Sequence, residues 1–205
     1  MVLTVLMFRY RRYVANGRKV PGNTLFKASE YRTYVSPLEI DIYLHKSNST
    51  YFADLDIART KLVGERFGPL FWNYYDNTND EFSTRSLSNV PYIPMGSVQA
   101  TFKKELTLFT RYFIKSRVFA WDSKWMYILS QFVVRHPNTK KETLYCAAVT
   151  KYVFKKNGRM TIKPEELIKE CGLWNDDVVK ENEINYKLVE HMKDIDDIEQ
   201  VCRNF

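Results

Sequence analysis

The sequence predicts an α+β fold in which one long helix is followed by an antiparallel sheet and then by shorter helices. Three observations predict it. Tyr51, Leu55, Ala58 and Leu62 recur at 4-3-4 spacing, the period of a single helix face. From Ser97 the apolar period changes to two, and two further segments, the first β-forming on both faces, continue the strand pattern. Pro164-Glu165-Glu166 then opens a helical stretch, with proline at a tolerated first-turn position.

Taken in order, the polar run Lys46-Ser47-Asn48-Ser49-Thr50 supplies residues that cap the helix, and Gly68-Pro69 is where it is expected to stop. Asp54, Lys61 and Glu65 are expected on its other faces, and Asp54 and Asp56 lie near the start, where the helix dipole favours acids. Residues 69–96 carry aromatics without a period and read as a long excursion. Val98, Ala100 and Phe102 then alternate with polar neighbours, as do Tyr112, Ile114, Ser116 and Val118. Residues 124–135 and 144–155 repeat the theme. Trp121-Asp122-Ser123-Lys124 and His136-Pro137-Asn138-Thr139 are hairpin connections, and Asn157-Gly158 is a turn dipeptide, so four consecutive strands are expected as a meander. Ile184, Leu188, Met192, Ile195 and Ile198 form the stripe of a last, acidic amphipathic helix.

Composition narrows the class. With 205 residues, 45% hydrophobic and 15% aromatic, the chain carries enough apolar surface for one packed domain plus an appendage. Cys146, Cys171 and Cys202 are odd in number and lack CxxC spacing, which argues against a disulfide framework or zinc site and fits a reducing compartment. Residues 1–29 carry six Lys/Arg and no acid, residues 165–205 five basic and twelve acidic side chains, so the net charge of +7 belongs to the N-terminal part and the body. Three units follow: a basic segment over 1–29, a domain over 30–170 and an acidic helical extension over 171–205. Cations without acids after the apolar run of residues 1–8 resemble a mitochondrial targeting segment; the run also reads as the remnant of an anchor, a first strand, or a plain basic N-terminus. The expected location is mitochondrial or membrane-associated, with cytoplasmic as the alternative. Peripheral membrane contact fits the charge; nucleic acid lacks a motif. No P-loop, GxGxxG, Ser-His-Asp arrangement or metal-ligand cluster is present, so neither metal nor organic cofactor is expected.

The segment Asp41-Ile42-Tyr43-Leu44-His45-Lys46-Ser47-Asn48-Ser49-Thr50-Tyr51 resembles the D-x-x-x-H-x-N-N-x-x-Y signature of hotdog thioesterases of the 4-hydroxybenzoyl-CoA type. Tyr51 to Arg59 is similar to the Y-x-x-x-x-x-x-A-R helix of that family. Residues 102–106, 117–125 and 145–154 resemble strands of its animal and fungal branch, which includes membrane-associated members; the resemblance covers roughly residues 35–170. It implies a hotdog fold, a long central helix wrapped by an antiparallel sheet, and an active site built between subunits, hence a homo-oligomer, dimer or tetramer. It also implies an acyl-CoA substrate, fatty or aryl, and a catalytic carboxylate just before the helix. Ser47 replaces the first asparagine of the motif, and Lys46 places a charge where the family often has a small apolar residue.

On that pattern Asp41 is the expected base or nucleophile, His45 positions Asp41 or water, and Asn48 orients the thioester. Tyr51 is a candidate substrate contact, and Lys103, Lys104, Lys115 and Arg117 are cations available to the CoA phosphates. Each has a plainer reading. Asp41 suits a turn, His45 a structural hydrogen bond, Asn48 a helix cap, the cations a solvated face and Cys146 the core. The rival to hydrolysis is a non-catalytic acyl-CoA or lipid-binding hotdog protein with a structural or regulatory role.

Overall fold

A computed structural model describes residues 24–157 and 160–192. The expected first-segment character of residues 1–23, Gly158, Ile195, Ile198 and Cys202 lie outside the described residues. Strand β1 (Ser29–Tyr34), which sequence reading left unassigned, precedes helix α1 (Asn48–Asp76). Four longer strands follow: β2 (Met95–Phe102), β3 (Arg111–Trp121), β4 (Met126–Arg135) and β5 (Glu142–Tyr152). A small ribbon, β6 (Phe154–Lys156) with β7 (Met160–Ile162), leads to α2 (Pro164–Glu170) and α3 (Asp176–Tyr186).

Helix α1 does not stop at Gly68-Pro69; it runs to Asp76 and closes on Asn77, whose left-handed φ of 55° lets its N–H reach Asn73 O and Tyr74 O. Proline removes one hydrogen bond and crowds the preceding turn, at about 3 kcal/mol or more. Leu70, Phe71 and Tyr74 are all buried beyond it, and each such side chain contributes roughly 1.5–3 kcal/mol. Their packing in one core with Phe154, Leu167, Ile168 and Leu173 outweighs the local cost. The first eight residues of the expected excursion are therefore helix.

The main sheet is antiparallel throughout, in the order β1-β3-β4-β5-β2. The expected four-strand meander holds only for β3-β4-β5, because β2 crosses to the far edge and pairs with β5. Its apolar residues need the α1 face, and that edge is where the chain returns after the helix. Period two does fix the faces: Tyr112, Ile114, Ser116 and Val118 are all buried toward α1, together with Phe132, Cys146 and Ala148. Irregular register between Val118 and Ala120, and between Phe132 and Val133, adds local twist to the central strands.

The other face of the sheet is partly covered by the C-terminal segment. Val189 and Met192 pack on Phe119, Ala120 and Tyr127, and buried Lys151 donates from Nζ to Met192 O at 3.3 Å. Ile184 and Leu188, expected on the buried stripe, are exposed; the chain leaves α3 at Tyr186, so the docking residues follow a tighter turn rather than one continuous helix. Gly96 sits under Trp125, and a Cβ there would come within 2.5 Å of the indole ring.

Candidate active site

The chain entering α1 is shaped by its own polar groups. Ser36 and Glu39 form a reciprocal cap on the short turn Pro37–Glu39: Leu38 N donates to Ser36 Oγ at 3.2 Å, and Ser36 N to Glu39 Oε2 at 3.0 Å. Ile40 and Lys46 then bridge, leaving residues 41–45 as a tight loop closed by Asp41 N donating to His45 O at 2.9 Å. Leu44 takes a φ of 62°, a left-handed conformation that a non-glycine residue adopts only when its surroundings impose it.

Asp41 organises this loop and remains exposed. Its Oδ1 accepts from Tyr43 N at 2.9 Å and from His45 N at 3.4 Å, while Oδ2 takes no hydrogen bond among the described residues. The turn role and a chemical role are therefore compatible within one carboxylate. His45 bridges to Thr107 through its backbone, and its Nε2 stands 3.4 Å from Glu105 Oε2. Ser47, not Asn48, is the N-cap of α1, and its side chain makes no cap bond; Asn48 is the first helical residue and is exposed. The first turn thus presents N–H groups that the helix itself does not satisfy.

Asp41, Tyr43, His45, Asn48 and Tyr51 line one groove of about 600 Å³ with Phe102, Lys103, Lys104 and Glu105. Six of the residues singled out from sequence are brought together here: Asp41, His45, Asn48, Tyr51, Lys103 and Lys104. Lys115 and Arg117 are not. They alternate with the inward residues of β3 and project from the other face, where Lys115 Nζ meets Glu142 Oε2 at 2.6 Å and Arg117 lies 5.3 Å from the Phe119 ring centre.

Sequence reading missed what lies beneath the groove. The Lys46 side chain has no solvent exposure, and its Nζ is 2.9 Å from Asp54 Oδ2 and 3.2 Å from Glu39 Oε2. Tyr112 Oη donates to the same Asp54 oxygen at 2.5 Å, and the rings of Tyr51 and Tyr112 lie 5.4 and 5.6 Å from the ammonium. Asp54, expected on an outer face, is buried. Burial pushes its carboxyl above the ordinary value, with the Lys46 ammonium and the Tyr112 hydroxyl opposing. Burial likewise raises the Tyr51 and Tyr112 hydroxyls, so both stay protonated donors. The signal was present in the spacing, since Asp54 falls three residues after Tyr51 and one before Leu55, within the buried stripe.

Comparison with known proteins bears on this geometry. Residues 35–171 match the family model described as the thioesterase-like superfamily. A probable thioesterase of Saccharomyces cerevisiae is 42% identical over 165 residues, covering 80% of this chain and 64% of that protein. A thioesterase of Purpureocillium lilacinum is 40% identical over 159 residues, covering 75% of this chain and 51% of its own length. The chain thus spans between half and two-thirds of these curated relatives. Among solved structures, an acyl-CoA hydrolase variant from Staphylococcus aureus superposes with a TM-score of 0.61 at 13% identity, covering 91% of this chain and all (100%) of that one. A 4-hydroxybenzoyl-CoA thioesterase variant complexed with 4-hydroxybenzoyl CoA gives 0.53 at 16%, covering 71% and 99%. A probable thioesterase from Escherichia coli gives 0.54 at 13%, covering 69% and 94%. Likeness at such identities shows the fold, a hotdog arrangement of long helix and antiparallel sheet. With the family match spanning the loop, α1 and strands β2 to β5 of the main sheet, this chain belongs to the thioesterase-like superfamily.

Proposed function

We propose that this chain hydrolyses an acyl-CoA thioester, fatty or aryl, in the groove at the N-terminus of α1, with Asp41 as general base or nucleophile. One observation carries the reading: the Asp41 carboxylate and an uncapped helix N-terminus line the same groove. A thioester carbonyl placed against the first-turn N–H groups is polarised, and those groups gain most as its oxygen becomes an oxyanion. Asp41 takes a proton from water, the water oxygen bonds to the carbonyl carbon, and the C–S bond breaks. The CoA thiolate then accepts a proton, leaving a free acid. In the nucleophilic variant the Asp41 carboxylate attacks the carbonyl carbon, the C–S bond breaks to expel the CoA thiolate, and water then hydrolyses the mixed anhydride to return the carboxylate and release the acid. His45 positions the loop or water, Asn48 and Tyr51 contact the acyl thioester, and Lys103 and Lys104 meet the CoA phosphates.

Purified protein assayed against short, long and aryl acyl-CoAs tests this, beside an Asp41→Asn variant. Asparagine keeps the shape and loses the charge, so kcat should fall by roughly 10² or more with the fold retained, given ordinary general-base contributions. Equal activity in the two proteins removes Asp41 from the chemistry. Binding without turnover across the whole panel would favour the non-catalytic acyl-CoA-binding alternative.

The same reading calls for a homo-oligomer, dimer or tetramer. Both β1 and β2 pair on one side only, and Ile42, Tyr43 and Leu44 at the loop tip are largely exposed, surfaces that a second copy would cover. Light scattering at micromolar concentration should give a mass of at least twice 24.4 kDa. For location, the cations of residues 1–29 lead us to a mitochondrial or membrane-adjacent site, and a reporter fused to those residues that stays uniformly cytosolic would remove it.

A further inference from the structure

The groove explains the loop's exposed side and leaves unexplained why a fully buried lysine stands directly behind it. Burying an ammonium is costly unless charge and hydrogen bonding compensate it, and the compensation here ties the two stems of the loop, α1 and β3 at one point. Glu39 lies at one stem of the 41–45 loop and Lys46 at the other. The Lys46 ammonium reaches Glu39 across the stem and Asp54 in the second turn of α1. Asp54 in turn holds Tyr112, on β3, and the backbone adds Ser47 N to Glu39 O at 2.7 Å and Lys46 N to Leu106 O at 2.7 Å.

We propose that Lys46 is a positioning residue: its ammonium pins both stems of the Asp41 loop to α1 through Glu39 and Asp54, and so sets where the Asp41 carboxylate stands relative to the helix N-terminus. The proposal rests on the thioesterase reading for its consequence, but the anchoring itself does not. Among the described residues Asp41 Oδ1 accepts only from amides of its own loop, Tyr43 and His45, so the loop is internally shaped and is located from outside by its stems together with the His45 contacts to Thr107 and Glu105. The left-handed Leu44 is a conformation such a loop keeps only while its ends are held. Small displacements matter at this site, because a reacting carboxylate must sit within attack distance of a carbonyl fixed by a different element.

The test uses the full chain with Lys46→Met and Asp54→Asn combined. Together they remove the buried ion pair, fill the lysine's path with an apolar side chain, and leave Tyr112 an amide oxygen as acceptor. Hydrogen–deuterium exchange reads the anchoring without any substrate. Peptides spanning 37–50 should exchange about tenfold faster or more, with those from β4 and β5 unchanged and Tm close to wild type. In the acyl-CoA assay kcat per folded molecule, with the folded fraction fixed by circular dichroism and by unchanged exchange in β4 and β5, should fall about tenfold or more while KM changes less than threefold. Glu39→Gln, at a partly exposed position where the amide can still accept from Ser36 N, should show the same pattern more weakly and serves if the double variant fails to fold. Unchanged exchange in 37–50 overturns the proposal. So does wild-type kcat in the double variant when Asp41→Asn is inactive. If Asp41→Asn keeps full activity while the loop exchanges faster, the anchoring stands and the thioesterase reading of Asp41 fails.

Discussion

Two clusters of charge sit on opposite faces of one sheet. On the α1 side, Lys46, Asp54 and Glu39 meet with Tyr112 beneath the groove, the lysine wholly out of water. On the far side Lys115, Arg135, Glu30 and Glu142 form a comparable ring of ion pairs at 2.6–4.0 Å, every member partly solvated. The distances resemble each other and the energetics do not. Water and salt screen the outer ring, so its net contribution is small. The inner cluster has no water to replace a lost partner, so each member is needed because the others are present. Geometry alone is therefore a poor guide to which charges matter; burial decides.

That contrast can be broken most directly at Lys46. Lys46→Met alone leaves Asp54 buried beside Glu39 without its cation and should cost about 3–5 kcal/mol in urea unfolding, whereas adding Asp54→Asn should recover most of it. A double variant as unstable as the single one would mean that packing, not charge, holds the cluster. A smaller effect is expected where the far face depends on shape. Gly96→Ala drives a methyl group into the Trp125 ring, which also lies 4.5 Å from Lys124 Nζ and 4.6 Å from Lys151 Nζ, and should cost about 1–3 kcal/mol. Calorimetry showing no loss would place Trp125 differently.

The pH dependence sharpens the comparison, because the two carboxylates shift in opposite directions. Glu142 is held below its ordinary value by hydrogen bonds from Lys115 and Arg135, so its contribution is present above pH 4.5 and is lost as pH falls through the lowered value. Asp54 is raised, chiefly by burial, so its contribution is full below pH 3.8 and is lost as pH rises through the raised value. The Tm difference between wild type and Glu142→Gln should therefore shrink toward acid. That between wild type and Asp54→Asn should move in wild type's favour toward acid. Parallel trends would refute the assignment. The smallest effect is that of Glu142→Gln at neutral pH, a Tm change of at most about 2 °C that diminishes with added salt. A larger, salt-insensitive change would show that the outer ring is structural after all.

How much of this was legible in the chain follows from what each signal measures. Tyr51, Leu55, Ala58 and Leu62 all prove buried because helical period alone decides which residues share a face. Tyr112, Ile114, Ser116 and Val118 follow from the two-residue period in the same way, and the turn at Asp122 from its short spacing, with Asp122 N bonded to Trp125 O at 2.9 Å. The segment from Asp41 to Asn48 was singled out by its resemblance to a family signature whose members are close in sequence and lead into one helix. Lys103 and Lys104 joined that groove only through the pairing of β2 with β5, which no local period specifies.

The tertiary structure decided everything that depends on an encounter between distant segments. Pro69 reads as a stop because its backbone chemistry is local; the helix continues because Leu70, Phe71 and Tyr74 find a core assembled partly from residues 154–173. Lys115 and Arg117 read as phosphate ligands by charge, yet period two sends them to the face away from the groove. Lys46 reads as an intruding charge until Asp54, eight residues on, and Tyr112, on another strand, enclose it. Sequence by itself determined which residues share a face in α1 and in β3. What that face would meet was settled only when the sheet closed on α1, because the free energy of a buried charge or a buried ring belongs to its neighbours as much as to itself.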